Sequence, residues 1–211
     1  VVELCQKRLP ENMGIPADQI QVLSPTRKGV CGTVNLNRAL QAALNPPAAS
    51  KRQKPWGDMV FREGDRVMQT RNNYDVVWER DDGSMGAGIF NGDVGVIQEI
   101  DPSGELITIQ FDDRTCVYTA DLLNQLDMAY AMTVHKAQGS EYRCVVLVSA
   151  AVAPALMVRG VLYTAITRAR ELLVLVGDDV APGQMAANDR QQRRYSGLRR
   201  RLREEAMSHG L

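Results

Sequence analysis

No apolar run in this sequence approaches the roughly 20 residues that cross a bilayer, so length alone excludes a membrane-spanning helix. The four cysteines, Cys5, Cys31, Cys116 and Cys144, lack the close pairs a zinc site needs, and no secretory leader stands ahead of them. They read as reduced, mostly buried thiols of a cytoplasmic protein without a metal. An excess of either charge is missing too: 25 basic residues stand against 25 acidic ones, so any nucleic-acid signal has to be local. No GxxxxGK[ST] sequence occurs anywhere, and no strand ends in a paired-acid magnesium motif. What is present is a globular composition, 45% apolar over 211 residues, enough for one large domain or two small ones. The chain opens at Val1 inside a helical pattern and is expected to be cut from something longer.

Residues 20–23, 126–132, 144–149 and 172–177 are apolar and rich in β-branched side chains, with little alternation, as strands covered on both faces require. They predict a four-strand sheet of an α/β fold. The connection Thr133-Val-His-Lys-Ala-Gln-Gly-Ser-Glu141 sets His135, Lys136, Gln138 and Glu141 at a strand end, where open α/β sheets bind ligands. By itself, His135 reads as a local hydrogen-bonding residue of the turn rather than as a ligand. A helix over 1–9 is expected to stop at Pro10. A second helix carries Leu36, Leu40, Ala43 and Leu44 on one face, is capped by Thr33 and is stopped by Pro46 and Pro47. The loop before it, SPTRKGVCG, is either a solvated turn or a frame for an anion made by loop amides and the helix start. A third helix spans 159–170, with Thr164, Thr167, Arg168 and Arg170 towards its polar side.

Between 45 and 57 the sequence NPPAASKRQKPWG reads as a linker. After it come short β-prone runs over 66–70, 94–100, 106–111 and 115–118, separated by turn signals such as Asn91-Gly92, which suggest a small barrel inserted into the α/β sequence. For Arg66, Gln69, Arg71, Asn72, Asn73 and Tyr74 two readings stand: nucleic-acid contact or a polar barrel surface. The tail over 188–207 holds seven arginines in an amphipathic helical pattern, either a solvated face or a phosphate contact.

Three ordered stretches carry a resemblance. TVHKAQGSEY resembles motif V, QVLSPTRKGVCGTVNLNRALQ motif IV and LYTAITRARELLVLVG motif VI of superfamily 1 helicases of the RecD-like branch, the family of the exodeoxyribonuclease V alpha chain. FREGDRVMQTRNNYD and IFNGDVGVI are similar to that branch's inserted barrel of Src-homology-3 type. The resemblance implies a RecA-like parallel sheet of the P-loop NTPase type, acting as second motor domain over 1–57 and 119–211, with the small all-β barrel over 58–118. It implies a DNA helicase that couples ATP hydrolysis, with Mg2+, to 5′→3′ movement on single-stranded DNA. In it Arg27, rather than Lys28, and Arg168 meet the γ-phosphate; Glu141, Gln138 and Gly139 face the nucleotide; and Thr133 and His135 hold the strand, with Arg66, Arg71, Asn72, Asn73 and Tyr74 added by the barrel. The nucleotide and its metal would be held by an amino-terminal motor domain, so this chain supplies half a site and is expected to be catalytically silent alone. The alternatives are a non-enzymatic single-strand-binding module and the helicase subunit of an exonuclease complex with other recombination or repair subunits. No membrane partner is expected.

Overall fold

The computed structural model describes residues 1–189 together with 201 and 205, so the arginine-rich tail helix falls almost wholly outside the described residues. The chain enters through a π-helical turn, Leu4–Arg8, that runs into α1 (Leu9–Met13) and ends at Gly14 in the left-handed region, φ 61°. Pro10 therefore does not stop the helix as expected. It sits in the first turn of α1, just past the π turn, where its missing N–H falls at the change of hydrogen-bond pattern. Strand β1 (Ile20–Ser24) is buried at every position, and α2 (Thr33–Leu44) follows it. The expected linker instead forms half a hairpin, β2 (Gln53–Trp56) against β3 (Met59–Arg62). Then come β4 (Arg66–Gln69), β5 (Asn73–Glu79), β6 (Met85–Ile89), β7 (Val94–Ile100), β8 (Leu106–Phe111) and β9 (Arg114–Thr119). The chain returns through β10 (Leu126–Met128), β11 (Ala131–Thr133), β12 (Tyr142–Val148), α3 (Arg159–Ile166), β13 (Ala169–Val176) and α4 (Val180–Ala187). The third helix thus stops at Ile166, and Arg170 lies on β13.

Two main sheets result. A parallel sheet has the order β11-β1-β12-β13, and an antiparallel sheet has the order β10-β4-β7-β8-β9-β5-β6. The run 126–132, expected as one strand of the parallel sheet, is divided between them. Leu126 to Met128 pair antiparallel with Gln69 to Val67, and after two intervening residues Ala131 pairs parallel with Val22. Ala129 and Tyr130 at the crossover are both buried, so no polar turn marks the switch in the sequence. The two sheets share a core: one cluster of buried side chains runs from Leu9, Ile20 and Leu40 to Phe61, Ile97 and Phe111.

Polar side chains also cross between the sheets. Asp65, fully buried, accepts hydrogen bonds from Gln41 Nε2 (2.6 Å), Asn45 Nδ2 (2.7 Å), Tyr130 Oη (2.9 Å) and the Arg62 amide (2.7 Å). Arg66 turns inward, donating to the Ile20 carbonyl (3.1 Å) and to Gln21 Oε1 (3.0 Å), while Gln21 itself donates to the carbonyls of Ala129 and Tyr130. Burial pulls the Arg66 pKa down from arginine's ordinary value. This corrects the placement of Arg66 among the nucleic-acid contacts, since its guanidinium braces β4 against β1. Arg66→Ala is expected to cost about 2 kcal/mol of stability through lost charged hydrogen bonds, with single-strand affinity unchanged. Chemical denaturation alongside a binding titration checks both halves. An intact midpoint with weakened binding would return Arg66 to the surface.

Candidate nucleotide and nucleic-acid interface

Thr133 to Glu141 form a compact turn pinned from inside. Val134 and Ala137 are 1% and 0% exposed, and the amides of Lys136 and Ala137 both donate to the Thr133 carbonyl. Pinning two apolar residues turns the remaining side chains outward, and His135, Gln138 and Gly139 are exposed. Gly139 has φ +90°, a conformation that side chains disfavour, so a glycine is needed to close this turn. The turn spans the sheet. Thr133 lies level with Ser24 at the carboxyl end of β1, whereas Glu141 precedes Tyr142 at the amino end of β12.

At the carboxyl edge, Asp127 on β10 joins two cations, Lys136 Nζ at 3.0 Å and Arg27 Nη2 at 3.6 Å. The loop carrying Arg27 folds tightly onto the start of α2. A Cβ on Gly32 would lie 2.5 Å from the Arg27 carbonyl oxygen, so only glycine fits there. The amides of Thr33 and Val34 donate to the carbonyls of Thr26 and Arg27. Two amides at the helix start are thereby consumed within the loop, so of the two readings of this loop the anion frame is not formed by them. Nor does Thr33 cap the helix, since Gly32 holds that position and no side chain bonds to the first turn.

At the amino edge, the Arg168 fork is held three times: Nη1 to the Ser140 carbonyl (2.9 Å), Nε to the Thr164 carbonyl (3.2 Å) and Nη2 to Thr167 Oγ1 (3.2 Å). Beside it Glu141 accepts from Arg170 Nε at 2.9 Å, an exposed ion pair. The structure therefore groups Arg168 with Gly139, Ser140 and Glu141, and groups Arg27 with Thr133 and Lys136. It does not bring the two arginines together as expected. Arg27 follows a strand of the parallel sheet and Arg168 precedes one, at opposite ends of strands in register, about 20 Å apart along the strand direction.

On the antiparallel sheet, Gln69 is fully buried, bonded to Gln125 and Tyr118. Asn73 turns to Gln125, and Arg71 donates to Asn124. Tyr74, 67% exposed, meets Phe90, 42% exposed, edge to face with ring centroids 5.7 Å apart. Asn72 fixes the turn beside them, accepting from the Asn91 amide at 3.0 Å. Sequence reasoning missed Phe90 and the Asp127 bridge. Phe90 had a signal, as an aromatic flanking a tight turn, whereas Asp127 was hidden within an assumed buried strand.

Among the described residues no cluster of histidine, cysteine or acidic side chains is placed to hold a metal. The cysteines are unpaired, and burial pushes the Cys5 and Cys116 thiols up to about 11. No described helix is long and apolar enough to cross a membrane.

Residues 36–111 match the SH3 domain of the ATP-dependent RecD-like DNA helicases, and residues 128–176 match the UvrD-like helicase C-terminal domain. The chain is 35% identical over 184 residues to the ATP-dependent RecD2 DNA helicase of Deinococcus radiodurans, a match covering 87% of this chain and 23% of that protein. It is 31% identical over 185 residues to the RecBCD enzyme subunit RecD of Mycobacterium tuberculosis, covering 88% and 29%. The chain thus spans between about a fifth and a third of these relatives. A Bacteroides Pif1 helicase solved with ADP-AlF3 and ssDNA shares the fold, with a TM-score of 0.50 at 15% identity over 99% of this chain and 49% of that one. Fold and matches together define a class, the C-terminal motor region of a helicase carrying an SH3 insertion. Within that class the chain belongs to the RecD-like branch of the superfamily 1 DNA helicases.

Proposed function

We propose that this chain is the second motor half of an ATP-dependent DNA helicase that moves 5′→3′ on single-stranded DNA and unwinds duplex, with residues 58–118 as its inserted lobe. The observation that carries the reading is the turn from Thr133 to Glu141, which reaches from one edge of the parallel sheet to the other. At the amino edge, Arg168 with Gln138, Gly139 and Glu141 faces a nucleotide held by an amino-terminal motor domain. Mg2+ bound there with the phosphates would neutralise charge on the leaving group. The role of Arg168 is to meet charge developing on the γ-phosphate, and that of Glu141 is to accept from a ribose hydroxyl once released from Arg170. At the carboxyl edge, Thr133 and His135 donate to strand phosphates, and Arg27 adds charge there instead of at the nucleotide. One rigid turn touching both ligands gives a route by which nucleotide occupancy alters the grip on the strand.

The test uses the chain alone beside the intact helicase. With no phosphate-cradling sequence, the isolated chain is expected to show no ATP hydrolysis with or without single-stranded DNA, while the intact protein is stimulated by it. DNA-stimulated turnover by the chain alone overturns the half-site account. A single-strand-binding module is the second reading, favoured by the exposed Tyr74–Phe90 pair, because bases stack on such rings. Fluorescence anisotropy of the isolated chain at two salt concentrations separates the two: tight, salt-sensitive binding supports the module, and weak binding supports a domain that needs its sister half.

A further inference from the structure

A cavity of about 600 Å³ opens beside the carboxyl edge of the parallel sheet, between α2, the β2–β3 hairpin and the strands β10 and β11. Its size lies within the range of pockets that enclose small organic groups. Its lining includes Trp56 together with Met59, Met68, Met128 and Met132, an aromatic residue among soft thioethers. Arg27, Arg38, Arg62 and Lys136 line it against only Asp58 and Asp127, four cations to two carboxylates. Asp127 is already occupied by Arg27 and Lys136. Thr133, the first residue of the turn assigned to the strand, lies on the same rim.

We propose that this cavity receives a base of the bound single strand, stacked on Trp56, while the adjoining phosphates lie against Arg27, Arg38 and Lys136. A nucleotide matches both parts of the lining: the base has an apolar face for the indole and methionines, and the phosphate has the charge that the cationic rim lacks. An acidic peptide would leave the ring surface uncovered, and a purely apolar segment would leave the cations opposite nothing. Because α2, the hairpin and β10 each supply a wall, the pocket joins the motor sheet to the inserted sheet at one nucleotide. This inference rests on the proposed strand contact at Thr133 and deepens it by naming where a base goes.

The experiment uses the intact helicase and an oligothymidylate with a single 2-aminopurine moved one position at a time. At one position the fluorescence should be quenched by the indole, and Trp56→Ala should remove that quench and weaken binding about ten-fold. Trp56→Phe should recover most of the affinity, and an abasic site at the quenched position should weaken the wild type as much as Trp56→Ala does, with no further loss when the two are combined. If the wild type binds the oligonucleotide but Trp56→Ala changes neither quench nor affinity at any position, the pocket assignment is overturned and the strand contact survives. If the wild type does not bind single strands at all, the assignment falls together with the reading beneath it.

Discussion

Arg168→Ala is expected to lower DNA-stimulated ATP turnover of the intact helicase by about 10³-fold or more, with nucleotide affinity little changed, because cations that complete a phosphoryl-transfer site act on charge present only as the bond breaks. The geometry explains why so much should depend on one side chain. The guanidinium has five N–H donors, and three are spent on Thr164, Ser140 and Thr167, which fix the plane of the fork and leave two for an anion. The group is oriented before any ligand arrives. Arg168→Lys keeps the charge but cannot reproduce that fork, so it should behave more like alanine than like arginine. Steady-state hydrolysis with saturating oligothymidylate, paired with thermal unfolding, decides the matter. Turnover within ten-fold of wild type removes Arg168 from the chemistry, and loss of folding assigns it to holding the turn at Ser140.

The second large effect lies away from both edges. Asp65→Ala is expected to cost about 3–5 kcal/mol and to lower the melting temperature by roughly 10 °C, since four donors, three of them buried, lose their common acceptor at once. Asp65→Asn is the more informative partner. Burial raises the Asp65 pKa above the ordinary aspartate value, and the hydrogen bonds from Asn45, Tyr130, Gln41 and the Arg62 amide pull it partly back. A folded-state value above the unfolded one means that the folded chain holds the proton more tightly. Stability from this group is therefore fully present below the ordinary aspartate pKa and is lost as pH rises through the folded value. Asp65→Asn should flatten that dependence from the ordinary aspartate pKa upward. Melting curves from below that pKa to neutral pH check it, and an unchanged slope would show that another group sets the dependence.

The inner parallel strands were legible because both faces are covered, so their sequences run apolar: β1 is buried throughout and all but the first two residues of β12 are buried, whereas β13, expected to be covered on both faces, lies at the sheet's edge with no residue fully buried. β5 and β6 were not legible. Asn73–Glu79 carries two acidic residues and alternates only weakly, and Met85–Ile89 contains two glycines, one of which, Gly86, is required because a Cβ would press into the Trp78 ring at 2.3 Å. The division of 126–132 was invisible because Ala129 and Tyr130 bury themselves as strand residues do. Arg66 misled for a physical reason: a cation on a short strand looks solvent-facing until a neighbouring sheet offers a carbonyl to receive it. The separation of Arg27 from Arg168 was readable in advance. In a sheet whose strands all run one way, a residue after one strand and a residue before another fall at opposite ends.

The crossover at Ala129 and Tyr130 leaves the attachment of the inserted lobe without slack. Only two residues lie between a strand of one sheet and a strand of the other, and the aspartate just ahead of them clasps Lys136 and Arg27. A tilt of the lobe would draw Asp127 away from Lys136 and Arg27 and bare their charge at the rim of the cavity.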